Sequence, residues 1–233
     1  MAAAGETAST IKARSWLVDE AYAALRGAIL ANEYPPGHQV SAQELALRFG
    51  MSRTPVQEAA LRLQQEGLVE IVPKRGIRIR ALTAEDLTEI YDVVIAIEAL
   101  AAERIAGMDS AARRRAGEGL AAETDRMAAA LAAGDREAWG AADAAFHAAL
   151  IAHCGNRRFG TIIEAVNAQS HRARAITMRL SDNLAASIPE HRAIIAAIRA
   201  GEGGAAHAAA RQHRQRARDT VLPLLARIGL RHF

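Results

Sequence analysis

Cysteine, aromatic residues and long apolar runs are all scarce in this sequence. Cys154 is the only cysteine, which excludes an intrachain disulfide and is compatible with a reducing cytosol. Aromatic residues make up 4% of the chain, so its hydrophobic content of 51%, much of it alanine, favours closely packed helices. No stretch approaches the roughly 20 apolar residues of a membrane helix, and the start MAAAGETAST lacks the pattern of a signal peptide. We therefore expect a cytoplasmic protein with no membrane partner.

A large charge imbalance is also missing. The formal net charge is +3, which by itself is a weak argument for nucleic-acid binding. The positive charge is concentrated locally, however, because Lys74, Arg75, Arg78 and Arg80 follow one another without an intervening acid. This segment is therefore a candidate contact for phosphate groups.

A short capped helix is predicted within Gly50–Val69, which reads GMSRTPVQEAALRLQQEGLV. Ser52 and Thr54 are both suitable N-cap residues for a helix over 53–66, and Gly67 can adopt the left-handed conformation that ends it. The buried face consists of apolar residues at helical spacing, namely Val56, Ala59, Ala60 and Leu63. The first turn is polar, which suits insertion into the major groove of DNA.

The elements on either side of this helix complete a known arrangement. Helices are predicted over 16–31 and 42–49, the second with a capping box formed by Ser41 and Glu44. A turn at Gly50 then gives a helix-turn-helix. Apolar and charged residues alternate within 68–82 on both sides of Pro73-Lys74-Arg75-Gly76, which predicts a β-hairpin. A hairpin in this place makes a winged helix, whose basic tip can reach the minor groove or the phosphates.

From about residue 83 the pattern is helical throughout. Glycines separate six amphipathic segments, which predict helices over 83–106, 109–133, 135–153, 157–179, 181–200 and 204–228. We therefore expect a mainly α-helical protein in three parts. These are a disordered tail over 1–14, a winged helix-turn-helix domain over 15–81, and an antiparallel six-helix bundle over 82–233.

Polar residues interrupt the apolar faces of three helices in the predicted bundle. Asp143 and His147 lie one turn apart on one helix, and His191 and His213 lie on two later helices. Imidazole and carboxylate groups suit a borderline divalent ion if these side chains converge. A single histidine on an apolar face is more often a hydrogen-bonded core residue, so spacing alone leaves both interpretations open. The basic run RQHRQRARD at 211–219 is interpreted as a solvated helix face with only His213 turned inward.

The segment EYPPGHQVSAQELALRFGMSRTPVQEAALRLQQEGLVEIVPKRGIRI resembles the DNA-binding domain of the GntR family of bacterial transcription regulators. The pattern SRTPV…EA…RL…EGLV…RG carries this resemblance. The helical part, with EALAAERIA from Glu98 and PEHRAIIAAI from Pro189, is similar to the FCD ligand-sensing domain of the FadR-like branch. Together the two resemblances cover about residues 15–225.

The resemblance implies a homodimer on a palindromic double-stranded DNA operator, with the start of the third helix in the major groove and the wing tip in the minor groove. The DNA contacts that follow from it are Gln43, Ser52, Arg53, Thr54, Gln57, Lys74, Arg75 and Gly76. The family usually has arginine at the position of Gln57, and glutamine prefers adenine where arginine prefers guanine. We therefore expect an operator that departs from the commonest half-site of the family.

The resemblance also implies a metal ion held by an Asp-x-x-x-His pair and two later histidines, with zinc expected and nickel or manganese as alternatives. The matching residues are Asp143, His147, His191 and His213. A small organic acid is expected as effector beside the metal, with Arg172, Asn167 and Arg104 as candidate contacts. Many family members use an arginine where this chain has Val94, which leaves the class of effector open.

The predicted function is therefore a ligand-responsive transcription regulator and not an enzyme. Repressors outnumber activators among the proteins that it resembles. One alternative is a regulator that binds an acyl chain or another apolar ligand without a functional metal, and another is a regulator that senses the metal itself. A third is a metal-dependent hydrolase that activates water at an open metal position. The sequence has no H-E-x-x-H motif and no clear general base, which argues against the hydrolase.

Overall fold

The computed structural model describes residues 3–180 and 184–227, with side chains for 15–167, 169, 184–225 and 227. The chain folds as two compact units, one up to Leu82 and one from Thr83 onward. Within the described ranges, every helix falls short of the length and apolarity that a membrane span requires.

The first unit is a winged helix-turn-helix, as the sequence predicts. Its elements are α1 (Ala3–Leu30), β1 (Gln39–Val40), α2 (Ala42–Phe49), α3 (Arg53–Gln65), β2 (Val69–Val72) and β3 (Gly76–Ile79). The three strands form one antiparallel sheet in the order β1-β3-β2. Strand β1 was not predicted, because two residues are too short to show an alternating pattern.

The start of α1 differs from the prediction. The sequence predicts a disordered tail over 1–14 and a helix from Trp16, whereas α1 begins at Ala3. The prediction depended on an apolar stripe, which is missing before Trp16. Alanine favours a helix without such a stripe, and this segment is rich in alanine.

The caps around α2 and α3 follow the sequence closely. Ser41 and Glu44 form the predicted capping box, in which each side chain accepts from the backbone N–H of the other residue. Ser52 is the N-cap of α3, but its hydroxyl makes no capping hydrogen bond. Gly67 has φ +74°, and Leu68 N–H donates to Leu63 O, which ends α3 in the predicted left-handed turn.

The second unit contains the six predicted helices. They are α4 (Ala84–Ala106), α5 (Ser110–Ala132), α6 (Arg136–His153), α7 (Arg157–Leu180), α8 (Ser187–Ala200) and α9 (Gly203–Arg227), with a short 3-10 turn at Leu184–Ala186 before α8. Helix α9 packs against both α4 and α8, and α5 packs against α6 and α8. Large side chains such as Phe146, Leu150, Leu120 and Met127 are fully buried at the centre of this unit. The predicted fold class is confirmed.

Candidate metal centre and DNA-reading surface

The four residues proposed as metal ligands lie together inside the second unit. Asp143 and His147 come from α6, His191 from α8 and His213 from α9, and all four are buried. One ligand atom from each lies within 4.8 Å of all the others. The sequence alone could not show whether these four side chains converge, and in the structure they do.

The spacing of these ligand atoms suits a metal ion. His213 Nε2 lies 3.2 Å from His191 Nε2 and 3.3 Å from His147 Nε2. Asp143 Oδ1 lies 3.7 Å and 3.8 Å from the Nε2 atoms of His147 and His191. Ligands about 2.1 Å from a tetrahedral zinc ion are about 3.4 Å apart, so a small divalent cation fits among these atoms.

Carboxylates lie behind two of the rings. His213 Nδ1 lies 2.7 Å from Glu190 Oε2. His147 Nδ1 lies 2.9 Å from Glu98 Oε2, although off the axis of the ring N–H. We assign the ring protons to Nδ1, since a carboxylate is an acceptor. The Nε2 lone pairs then face one another, and this arrangement is repulsive without a cation between them.

The third ring is held differently. His191 stacks on Phe146 with ring centroids 3.6 Å apart and an interplanar angle of 5°. Its Nδ1 has no hydrogen-bond partner among the described residues. Packing against one buried aromatic ring therefore orients His191.

Burial favours the neutral form of His191 and His213, which is the form that binds metals. Burial lowers the pKa of His191 to about 2, and the neighbouring His147 and His213 reinforce this effect. Burial also lowers the pKa of His213, against the opposing effect of its hydrogen bond to Glu190. Burial would raise the pKa of Glu98, but Arg214 and His147 outweigh it and hold that pKa well below its usual range.

Arg214 is a site residue that was not predicted from the sequence. The residue is 5% exposed, and its Nε and Nη2 donate to Glu98 Oε2 and Oε1 over 2.7 Å and 2.5 Å. The prediction that His213 alone turns inward from the run at 211–219 was therefore wrong. Glu98 was the available signal, because a carboxylate on the apolar face of α4 requires a buried positive partner.

Of the candidate effector contacts, Arg104 lies away from this cluster. Arg104 is exposed, and its Nε donates to Cys154 O over 3.1 Å, about 10 Å along α6 from His147. Asn167 is half-buried on α7, and the side chain of Arg172 lies outside the described residues. Val94 is buried on α4 one turn before Glu98, so it offers only apolar surface there.

The candidate DNA contacts of the first unit lie on the α2–α3 pair and on the hairpin. Every one of them except the glycine is exposed, namely Gln43, Ser52, Arg53, Thr54, Gln57, Lys74 and Arg75. Gly76 is half-buried with φ +95°, and a Cβ atom there would lie 2.6 Å from Val40 O. The close approach of β1 explains this glycine without any contact to DNA.

Contacts at the other side of α3 fix its orientation on α1. Arg62 pairs with Asp19 at 2.5 Å, and its guanidinium lies 4.2 Å from the centre of the Tyr22 ring. Tyr22 Oη donates to Glu66 over 2.7 Å. These contacts leave the polar N-terminal turn of α3 exposed.

Both units match known protein families. The model described as "Bacterial regulatory proteins, gntR family" matches residues 17–79, and the FCD domain model matches residues 89–216. The chain is 48% identical over 135 residues to an HTH-type transcriptional regulator in the TAR-I ttuE-ttuC' intergenic region of Agrobacterium vitis, covering 58% of this chain and 79% of that one. It is 28% identical over 187 residues to a probable D-xylose utilization operon transcriptional repressor of Paenarthrobacter nicotinovorans, covering 79% and 80%.

The fold also has a close structural counterpart. The crystal structure of a putative transcriptional regulator GntR from Rhodococcus sp. RHA1 aligns with a TM-score of 0.69 at 24% identity. The alignment covers 88% of this chain and 97% of that one. At this level of identity the similarity supports the fold alone.

Proposed function

This chain belongs to the GntR family of bacterial transcription regulators and carries an FCD domain, and we propose that it is a metal-dependent repressor that responds to a small organic acid. The proteins of this family and the relatives named above are transcription regulators and not enzymes, so the hydrolase alternative is dropped. The convergence of Asp143, His147, His191 and His213 on one buried point is the observation that carries the metal-dependent part.

The first unit would read a palindromic operator as part of a homodimer. The N-terminal turn of α3 presents Arg53, Thr54 and Gln57 to solvent, and α1 supports the opposite side of that helix. These side chains would contact base edges in the major groove, with Gln57 suited to adenine. Lys74 and Arg75 at the exposed hairpin tip would contact phosphates or the minor groove. Two-fold symmetry of the protein would then match two half-sites.

The second unit would hold a borderline divalent ion, with zinc preferred and nickel or manganese as alternatives. When bound, the ion would supply a positive centre that attracts a carboxylate. The three imidazoles and one carboxylate leave coordination positions free if the ion takes five or six ligands. The Asp143 side chain is the most exposed of the four, at 13%, so the effector would approach from that side. Binding there would bias the placement of the two DNA-reading units.

A DNA-selection experiment tests the regulatory proposal. Sequences enriched by the purified protein from a random duplex library should contain an inverted repeat. Arg53→Ala should lose affinity for them, and the control Arg126→Ala, an exposed arginine of α5 paired with Glu123, should not. The metal-loaded protein is then tested with a library of organic acids, one compound at a time. At least one acid should weaken its binding to the enriched DNA. Enrichment without any repeat, or no response to any acid, would count against the proposal.

A further inference from the structure

Two arginines of α9 each contact a carboxylate, and each of these carboxylates lies beside the Nδ1 atom of a proposed histidine ligand. Arg214 contacts Glu98, whose Oε2 faces His147 Nδ1. Arg216 contacts Glu190, whose Oε2 lies 2.7 Å from His213 Nδ1. The segment at 211–219 therefore supplies one ligand and the positive partners of two carboxylates that orient ligands.

We propose that Glu98 and Arg214 form a positioning pair that fixes the His147 ring with Nε2 toward the ion. This inference rests on the proposed metal centre. Arg214 Nε and Nη2 bind the two oxygens of Glu98 at 2.7 Å and 2.5 Å, so the guanidinium fixes the plane of the carboxylate. The same Oε2 then lies 2.9 Å from His147 Nδ1 and selects the ring orientation.

Burial makes this pair hard to replace. Glu98, Arg214 and His147 are 1%, 5% and 3% exposed, so bulk water has no ready access to His147 Nδ1 if the carboxylate is removed. Stability alone is a weak reason for such a pair, because apolar side chains of similar volume are often equally stable in its place. Glu98 and Arg214 can position the His147 ring, whereas apolar side chains in their place cannot.

The chain offers two comparisons for this pair. Glu190 is half-buried, so water can replace its hydrogen bond to His213 more readily. Glu103 and His207 lie on the same helices, α4 and α9, with Oε2 and Nδ1 2.8 Å apart. The side chains of that second pair are 39% and 47% exposed and His207 is not among the clustered residues, so Glu103→Gln is a matched control.

Two quantities are measured for wild type and for each full-length variant. One is the zinc affinity, measured by competition with a chromophoric chelator, and the other is the thermal midpoint of the metal-free protein. Glu98→Gln should weaken zinc binding by about 10–100-fold, Glu190→Gln by less, and Glu103→Gln not at all. Arg214→Lys keeps the charge but loses the planar fork, and should fall between Glu98→Gln and wild type. Cobalt-loaded Glu98→Gln should show an altered visible absorption spectrum, because the coordination of His147 changes.

A double variant separates positioning from a purely structural role. Glu98→Met combined with Arg214→Met removes both buried charges, so the metal-free midpoint should return close to that of wild type even if Glu98→Gln alone unfolds. Zinc affinity should remain weakened by about 10–100-fold, since the carboxylate beside His147 Nδ1 is gone. Wild-type zinc affinity in the double variant would overturn the inference alone. No zinc or cobalt binding by wild type would overturn both this inference and the proposed metal centre.

Discussion

Replacement of Gly76 by alanine should destabilise the first unit more than the same change at a glycine with open space where the Cβ atom would lie. The residue has φ +95°, a conformation that costs an L-residue about 1–2 kcal/mol. The new Cβ would also lie 2.6 Å from Val40 O and 3.1 Å from Ser41 Cα. Both neighbours are backbone atoms, so β1 and the hairpin must move apart, at a further cost of about 1–3 kcal/mol. The expected total is about 2–5 kcal/mol.

Two other glycines of this unit provide graded controls. Gly37 has φ +78° with open space where a Cβ atom would lie, so Gly37→Ala should cost only the strain of about 1–2 kcal/mol. Gly27 lies within α1 and is also open, so Gly27→Ala should stabilise the unit by about 0.5–1 kcal/mol. The three substitutions add the same methyl group, and only the local backbone and its neighbours differ.

Native-state hydrogen exchange on the full-length protein measures these differences within the first unit. The free energy of opening for peptides covering β1 and β3 should fall in the order Gly27→Ala, wild type, Gly37→Ala and Gly76→Ala. Affinity for the operator should fall with Gly76→Ala even where the variant is folded, because the hairpin tip is displaced. A cost at Gly76 no larger than that at Gly37 would refute the packing explanation for this glycine.

The remaining predictions concern the caps and the metal centre. Ser41→Ala should destabilise α2 by about 1 kcal/mol in urea unfolding, and Ser52→Ala should cost less because the Ser52 hydroxyl makes no capping hydrogen bond. The hydrogen bond from the Ser41 backbone N–H lowers the pKa of Glu44. The ionised Glu44 side chain should therefore stabilise the fold at any pH above its unfolded-state pKa, and this stabilisation should be lost as the pH falls through the lowered folded-state pKa. Phe146→Leu should weaken zinc binding through the loss of the His191 stack, as a zinc titration would show, and an unchanged affinity would contradict this role. Removal of the metal by a chelator should lower the thermal midpoint of the second unit, and re-addition of zinc should restore it.

The fold was largely predictable because its signals are local. Glycines separate the helices of the second unit, and the caps at Ser41 and Gly67 fix the ends of α2 and α3. The hairpin was found because strands β2 and β3 each contain several alternating residues. Strand β1 depends on pairing with β3, where Gln39 and Val40 lie opposite Arg78 and Ile77, and no local pattern reports such a partner.

The candidate site was predictable only in part, for a related reason. Spacing and family resemblance identified the four clustered residues, but the partners behind them lie on other helices. Helix α9 is covered by α4 on one side and by α8 on another, so His213 and Arg214 can both be buried although they point in different directions. A helical pattern with one apolar face assumes a single covered side, and it therefore assigned Arg214 to solvent.

Elemental mass spectrometry of the purified protein tests most directly whether the second unit holds a functional metal ion. Wild type should contain about one divalent ion per chain, and the variant His147→Ala, His191→Ala should lose it. The variant Glu103→Gln, which leaves the cluster intact, should retain the ion. An absence of metal from wild type, even after reconstitution with zinc, nickel or manganese, would contradict the account.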